Sequence, residues 1–469
     1  MAAPPILDRF FQLSERGSTV GREVRGGLAT FFTMAYIMVL NPLILGSTED
    51  VAGNRLADDQ LVTVTALVAA VMTVLMGVTA NMPLALAAGL GLNAVVAYQL
   101  APVMTWPEAM GLIVLEGLVL CALVVTGLRE AVMNAIPMPL KRAISVGIGL
   151  FIAFVGLINA GFVTSPTDGG SVPVQLGSSG RLTGWPVLVF ALGVLLTAAL
   201  LVRRVKGAIL LGIVAMTVLS VVVHAVADVA DEEWGTTVPN LPDSVLAAPD
   251  FGLVGEFSLF GAFGRVGVVT AVLLVFTLLI TDFFDTMGTA VGVSSEAGLL
   301  DEQGRVPRLG RLLFVDGLAA AAGGAASASS NTSYVESAAG VGEGARTGLA
   351  NLVTGGLFAL CLFLAPLAGV VPAQAAAPAL VVVGFLLMTQ VGEIEWSRYD
   401  VAVPAFLTIA LMPFTYSITN GIGAGVLAWV LLQTVRGKAR TVHPLMWVTA
   451  ALFLVYFAID PVERLLGVG

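Results

Sequence analysis

Thr281-Asp-Phe-Phe-Asp-Thr-Met-Gly288 closes an apolar run that begins near Gly267, and it sets two carboxylates, Asp282 and Asp285, one turn apart. Spacing of i, i+3 places both on one face of a helix. A charged side chain near the bilayer centre costs about 2.5–3.5 kcal/mol even on the lenient insertion scale, so two on one face predict a polar cavity rather than lipid. Solvation of both acids at the end of a span is the competing reading.

Composition gives that helix its setting. Of 469 residues, 57% are hydrophobic and 11% charged, and the mean hydropathy is +0.95; a soluble domain would carry roughly a quarter charged residues. Apolar runs long enough for a hydrocarbon core of about 30 Å recur from end to end. The chain therefore reads as one all-α polytopic membrane protein without a sizeable soluble domain. The first run, 26–45, is too long for a signal-peptide core and reads as a retained span. Cys121 and Cys361 lie inside apolar runs and give no disulfide framework, and two histidines, His224 and His443, are too few for a histidine-rich metal site. The net charge of −9 comes from acids gathered in a few loops, so it speaks to orientation more than to a cationic ligand.

Spans are expected at 26–45, 61–80, 82–100 and 109–128, then a fifth ending near 160, and a sixth at 185–202; in the second half the helix of Asp282 and Asp285 is the eighth, and spans follow near 312–324, 325–344, 348–371 and 375–391, with shorter runs at 401–416 and 418–435. Basic clusters follow on every second loop: Arg129 with Lys141 and Arg142, Arg203 to Lys206, Arg305 to Arg311, and Arg436 to Arg440. This positive-inside pattern puts the N-terminus, 1–25, in the cytoplasm of a multi-pass protein of the inner or plasma membrane. The acidic segment 228–264 falls outside and divides the chain. Its flanks, 26–227 and 265–435, each hold about seven segments, in all about 14, and an odd number forces the two repeats to be inverted. The remainder, 436–469, carries an extra apolar run at 444–459 that is either a further span or an interfacial helix.

Two corresponding segments are too interrupted for ordinary helices. Segment 3 reads Met82-Pro-Leu-Ala-Leu-Ala-Ala-Gly-Leu-Gly-Leu-Asn-Ala-Val-Val-Ala-Tyr98, and segment 10 reads Ala325-Ala-Ser-Ala-Ser-Ser-Asn-Thr-Ser-Tyr-Val-Glu-Ser-Ala-Ala-Gly340. Each predicts a short extended stretch followed by a half-helix, with Asn93 and Glu336 in the first turns after the break. Discontinuous segments at matching places of inverted repeats point to a transporter's binding site, because half-helix N-termini direct positive dipole ends to the midplane. Close helix packing by small residues explains the glycines and alanines, but not Glu336. Glu116 and Asp316, inside the fourth and ninth spans, suit either a proton relay or an interhelical hydrogen bond, and the second use is the commoner.

These stretches, together with Gly344-Ala-Arg-Thr-Gly348 and Gly91-Leu-Asn-Ala94, resemble the signatures of AzgA-like purine permeases in the second nucleobase:cation symporter family, over nearly the whole chain. The resemblance implies fourteen segments in a core domain (1–4 and 8–11) and a gate domain (5–7 and 12–14), with substrate between them. By motif it implies substrate-binding roles for Asp285, Asp282, Glu336 and Asn93.

The expected function is import of a purine base by proton symport with alternating access. The proton-coupling candidates are Asp282, Asp285, Glu336, Glu116 and Asp316. An ionised carboxylate only accepts hydrogen bonds, which favours guanine and hypoxanthine, with N1–H, over adenine; Asn93 presents both donor and acceptor and leaves adenine open. The expected partners are the base, protons and the bilayer, with room for a homodimer, and no nucleic acid, cofactor or metal. An anion transporter of the same fold is the alternative, although it should avoid carboxylates at its half-helices. A membrane-embedded enzyme is remoter: an aspartyl protease pair should come from two facing helices, and no Gly-x-x-x-x-Gly-Lys-Ser/Thr or His-Glu-x-x-His is present.

Overall fold

The computed structural model describes residues 5–127, 136–166, 173–177, 180–235, 237–242, 244–302 and 305–466; the expected span end at Leu128, Arg129 and part of the Gly/Ser-rich loop after the fifth span lie outside them. Among the described residues, nine helices are long and apolar enough to cross a membrane, and shorter apolar helices join them. In chain order the bundle consists of α1 (Val20–Met34, extended past a bend by Ile37–Gly46), α2 (Asp58–Thr79), β1 (Leu86–Ala88), α3 (Leu90–Val95, running on to Leu100), α4 (Trp106–Thr126), α5 (Met138–Asn159), α6 (Trp185–Val202) and α7 (Ala208–Ala227). The second half follows with α8 (Val268–Glu296), α9 (Leu309–Ala325), β2 (Asn331–Ser333), α10 (Ser337–Gly342), α11 (Leu349–Cys361), α12 (Ala373–Met388), α13 (Tyr399–Phe414), α14 (Ile418–Val435) and α15 (Pro444–Leu466).

Two boundaries differ from the hydropathy reading for local reasons. α1 begins at Val20, because Thr19 caps it and the buried Glu23 accepts from the backbone N–H groups of Arg346 and Thr347, at 2.9 and 3.3 Å. The single span expected at 348–371 is α11 and a separate short helix, Ala365–Ala368. Pro366 has no N–H for the turn behind it but suits the start of a new helix. The extra run near the C-terminus forms α15, which lies against α14 and α8.

The broken segments meet at the centre. β1 and β2 run antiparallel with Leu86 opposite Ser333, Ala87 opposite Thr332 and Ala88 opposite Asn331. Backbone in a bilayer must be satisfied within the protein, and neighbouring side chains complete what two short strands cannot. Thr73 accepts from the Leu86 N–H (2.9 Å) and donates to the Leu86 carbonyl (3.0 Å). Ser337 Oγ accepts from the Ala85 N–H at 3.0 Å, and the Asn351 amide donates to the Leu84 carbonyl at 2.7 Å. Ser327 and Ser329 take positive φ (57° and 66°) where the chain turns from α9 into β2.

The packing is two-fold in pattern. α4 lies along α9 and α11 along α2; α6 lies on α7 and α13 on α14; α5 packs on α13 and α12 on α6; α1 touches α11 and α8 touches α4. Each second pair follows from the first by moving seven segments along the chain, and α5 against α12 maps onto itself, so the inverted repeat is present in the contacts. These contacts gather into two groups, α1–α4 with α8–α11 and α5–α7 with α12–α14. Each group closes through glycine: a Cβ on Gly117 of α4 would lie 2.5 Å from the Gly317 carbonyl oxygen of α9, and one on Gly149 of α5 would lie 2.6 Å from that of Gly384 on α12.

Candidate functional site

The bend in α1, the two half-helices and the middle of α8 converge beside the strand pair. α8 runs on to Glu296, so Asp282 and Asp285 sit within a helix and not at a solvated end. The pair does not share one environment, although its spacing predicts a common face. Asp285 keeps its side chain accessible, whereas Asp282 is fully buried and, among the described residues, neither of its oxygens has a hydrogen-bond partner of ordinary geometry. A hundred-degree step per residue places i and i+3 sixty degrees apart, which suffices here to put one acid into open space and the other behind it.

The acids therefore form two sets. In the open set, Glu336 is half-buried at the start of α10 and accepts a hydrogen bond from the hydroxyl of Tyr36, which sits in the α1 bend. Asp285 and Tyr334 are its electrostatic neighbours. The Tyr334 hydroxyl donates to the Ala88 carbonyl at 2.5 Å, and the two tyrosine rings lie 6.5 Å apart. In the enclosed set, Asp282 lies among Glu116 of α4 and Asp316 of α9. Asp316 accepts from Thr286 (2.7 Å) and from the hydroxyl and N–H of Ser333 (2.8 and 3.1 Å), so it fastens β2 between α8 and α9. Glu116 accepts from Ser330 at 3.2 Å, and its other oxygen has no partner among the described residues. Among those residues no cluster of His, Cys, Asp or Glu has the form of a metal site.

Asn93 lies on α3, which packs on α8, and its Nδ2 donates to Asn41 of the second part of α1 at 2.7 Å. Tyr36, Tyr334, Asn41, Thr286 and Ser333 thus belong to the neighbourhood without having been singled out in the sequence. Tyr36 and Asn41 gave a signal as polar groups within the 26–45 run, and Thr286, Ser333 and Tyr334 lie inside the stretches that drew attention for their acids.

The two helix groups also meet at both ends. On the face opposite the N-terminus, Gln99 at the end of segment 3 accepts from Ser417 Oγ (3.2 Å), Thr419 N (3.2 Å) and Thr419 Oγ1 (3.0 Å). Beside it Tyr416 packs on Phe151 (5.2 Å between rings) and Tyr98 (5.6 Å). On the N-terminal face, Lys206, between α6 and α7, pairs with Glu343 after α10. Cavities of about 420 and 240 Å³ open on the opposite face, lined by Asp58, Asp250 and Pro366 and by Pro42, Arg55 and Val371 respectively, and include none of the six candidate residues.

A family model described as "Permease family" matches residues 21–424. The chain is 40% identical over 461 residues to the guanine/hypoxanthine permease PbuG of Bacillus subtilis (strain 168), covering 96% of this chain and 99% of that one. It is 37% identical over 452 residues to the adenine permease AdeP of Escherichia coli (strain K12), covering 96% and 95%. Among solved structures, the transmembrane domain of the cyanobacterium bicarbonate transporter BicA matches with a TM-score of 0.62 at 15% identity, over 87% of this chain and 97% of that one. The murine Slc26a9 anion transporter in the inward-facing state matches at 0.59 and 14%, over 88% and 68%. Likeness at such identities concerns the fold alone.

Proposed function

This chain belongs to the Permease family, and from that premise we propose that it imports purine nucleobases, guanine and hypoxanthine ahead of adenine, by proton symport with alternating access. Full-length similarity to permeases of guanine, hypoxanthine and adenine supports the substrate class. The observation that carries the reading is the meeting of Asp285 and Glu336 beside the broken segments, where both helix groups come close. Glu336 binds the base through its carboxylate, Asp285 joins it or fixes the half-helix, and Asn93 completes the polar set. Asp282 backs that set from its enclosed position. The protein sits in the cell membrane with its N-terminus in the cytoplasm, the side on which the Arg and Lys clusters gather.

Proton coupling is supported by the enclosed acids. Glu116, Asp282 and Asp316 are electrostatic neighbours, Asp285 adjoins them through Asp316, and Glu336 lies beyond it beside Asp285, so a proton has a chain of carboxylates to occupy. One charge moved across 100 mV yields about 2.3 kcal/mol, enough for roughly fifty-fold accumulation. The test is uptake of labelled hypoxanthine and labelled sulfate into vesicles. Purine accumulation that a protonophore abolishes is expected. Sulfate uptake would return the anion reading of the fold, and purine uptake driven by sodium and blind to the protonophore would overturn the coupling. Glu336→Gln swaps an acceptor for donors at constant shape, so transport should fall by orders of magnitude in a folded, inserted protein; undiminished purine binding would remove Glu336 from the site.

A further inference from the structure

The orientation of the Asn93 amide follows from anchors two residues away. Thr65 donates its hydroxyl proton to the Leu61 carbonyl at 2.6 Å, so toward Asn41 it accepts. The Nδ2 of Asn41 lies 2.7 Å from Thr65 Oγ1 and 3.2 Å from the carbonyl oxygen of Ala328, an atom that only accepts. Both neighbours demand the nitrogen of Asn41 on that side, and its oxygen therefore turns to Asn93. That oxygen in turn demands a donor, so Asn93 gives it Nδ2 at 2.7 Å. What remains of Asn93 is Oδ1, fully buried and without a hydrogen-bond partner among the described residues. An amide in isolation offers both polarities, but this one has its donor taken.

We propose that Asn41 is a positioning residue that sets substrate specificity: by holding Asn93 with its carbonyl oxygen free, it adds a side-chain acceptor, Asn93 Oδ1, to the carboxylates of Asp285 and Glu336 that the purine reading sets against the base. The proposal rests on the purine reading above. The ligand class that suits such a set is a planar base with N–H at ring position 1. A base with a lone pair there sets lone pair against lone pair, and a site built on hydrogen bonds rejects the mismatched partner strongly. Asn41 itself touches no substrate. Its effect is exerted through the rotation of a neighbouring amide, which distinguishes it from a residue that only supports packing.

The experiment compares wild type and Asn41→Ala in vesicles, with unlabelled adenine, guanine and hypoxanthine competing against labelled hypoxanthine. Without Asn41 the Asn93 amide can turn its NH2 toward the base. The ratio of half-inhibiting concentrations, adenine to hypoxanthine, should then fall about tenfold, through a raised KM for hypoxanthine at little-changed maximal rate. Purine competition with an unchanged ratio in the variant overturns the role of Asn41 and leaves the purine reading standing. Absence of competition by any purine in the wild type overturns the purine reading itself. If Asn41→Ala does not reach the membrane, Asn93→Leu decides on purified protein by ligand-induced thermal shift. Guanine and hypoxanthine should then lose affinity about tenfold more than adenine, and an equal or adenine-weighted loss overturns the proposal.

Discussion

Among the described residues the Glu336 carboxylate accepts from one hydroxyl, that of Tyr36, and a hydrogen bond to a charged group contributes about 1.5–3 kcal/mol. Tyr36→Phe should weaken purine binding roughly ten- to hundredfold, read as a shift in half-saturating concentration on purified protein; an unchanged value would show that Tyr36 does not set the carboxylate. Asp316 is a different kind of residue, because its three bonds all go to the protein. Asp316→Ala strands several buried donors at about 1–3 kcal/mol each, so a lowered melting temperature is expected, with Asp316→Asn losing less because its amide oxygen still accepts. Outside the spans, burial pushes the Asp50 carboxyl up, but the N–H groups of Asn54, Trp106 and Ala52 more than offset this and hold it below its ordinary 3.8. Its folded value is depressed, so its contribution to stability is present above that ordinary value and is lost as the pH falls through the folded one. Melting curves recorded below about pH 5 should therefore decline less steeply for Asp50→Asn than for wild type. Charged residues in apolar runs announced themselves in the sequence because their insertion is costly. Thr65 and Thr73 did not, since uncharged polar groups are ordinary in membrane helices and only their partners give them meaning.

At the scale of elements, segments 3 and 10 were legible as broken because Gly, Pro and Ser cluster where a helix should continue. The register of β1 on β2 was not, because three-residue strands have no usable periodicity. Nor was the separation of Asp282 from Asp285, which depends on how α8 is rotated against α4 and α9. The strand pair depends on side chains lent by helices, and Thr73 serves both polar groups of Leu86. Thr73→Val keeps the shape and strands an N–H and a carbonyl in a dry interior, so it should lower thermal stability, while Thr73→Ser should restore it. Melting temperatures of the three proteins in one detergent check this, and equal values would mean that the strand finds other partners.

For the molecule as a whole, the inverted repeat followed from an odd segment count, but the closure between the two helix groups did not, since it depends on single polar residues at helix ends. Gln99 joins the groups on the face opposite the N-terminus. Gln99→Leu should favour opening there and speed labelling of a single cysteine placed at Ser47, in a background lacking the free Cys121 and Cys361; an unchanged rate would assign closure to the aromatic cluster instead. The pairing of halves has a consequence for synthesis. Asn41 waits for Ala328, 287 residues further on, and Ala88 waits for Tyr334, 246 residues further on. α2, β1 and α4 leave the ribosome long before α11, β2 and α9 exist, so the nascent first half must dwell in the bilayer with its strand unpaired and its glycine faces uncovered. Two polypeptides separated within 228–264 should consequently rescue one another when made together, and each made alone should be degraded.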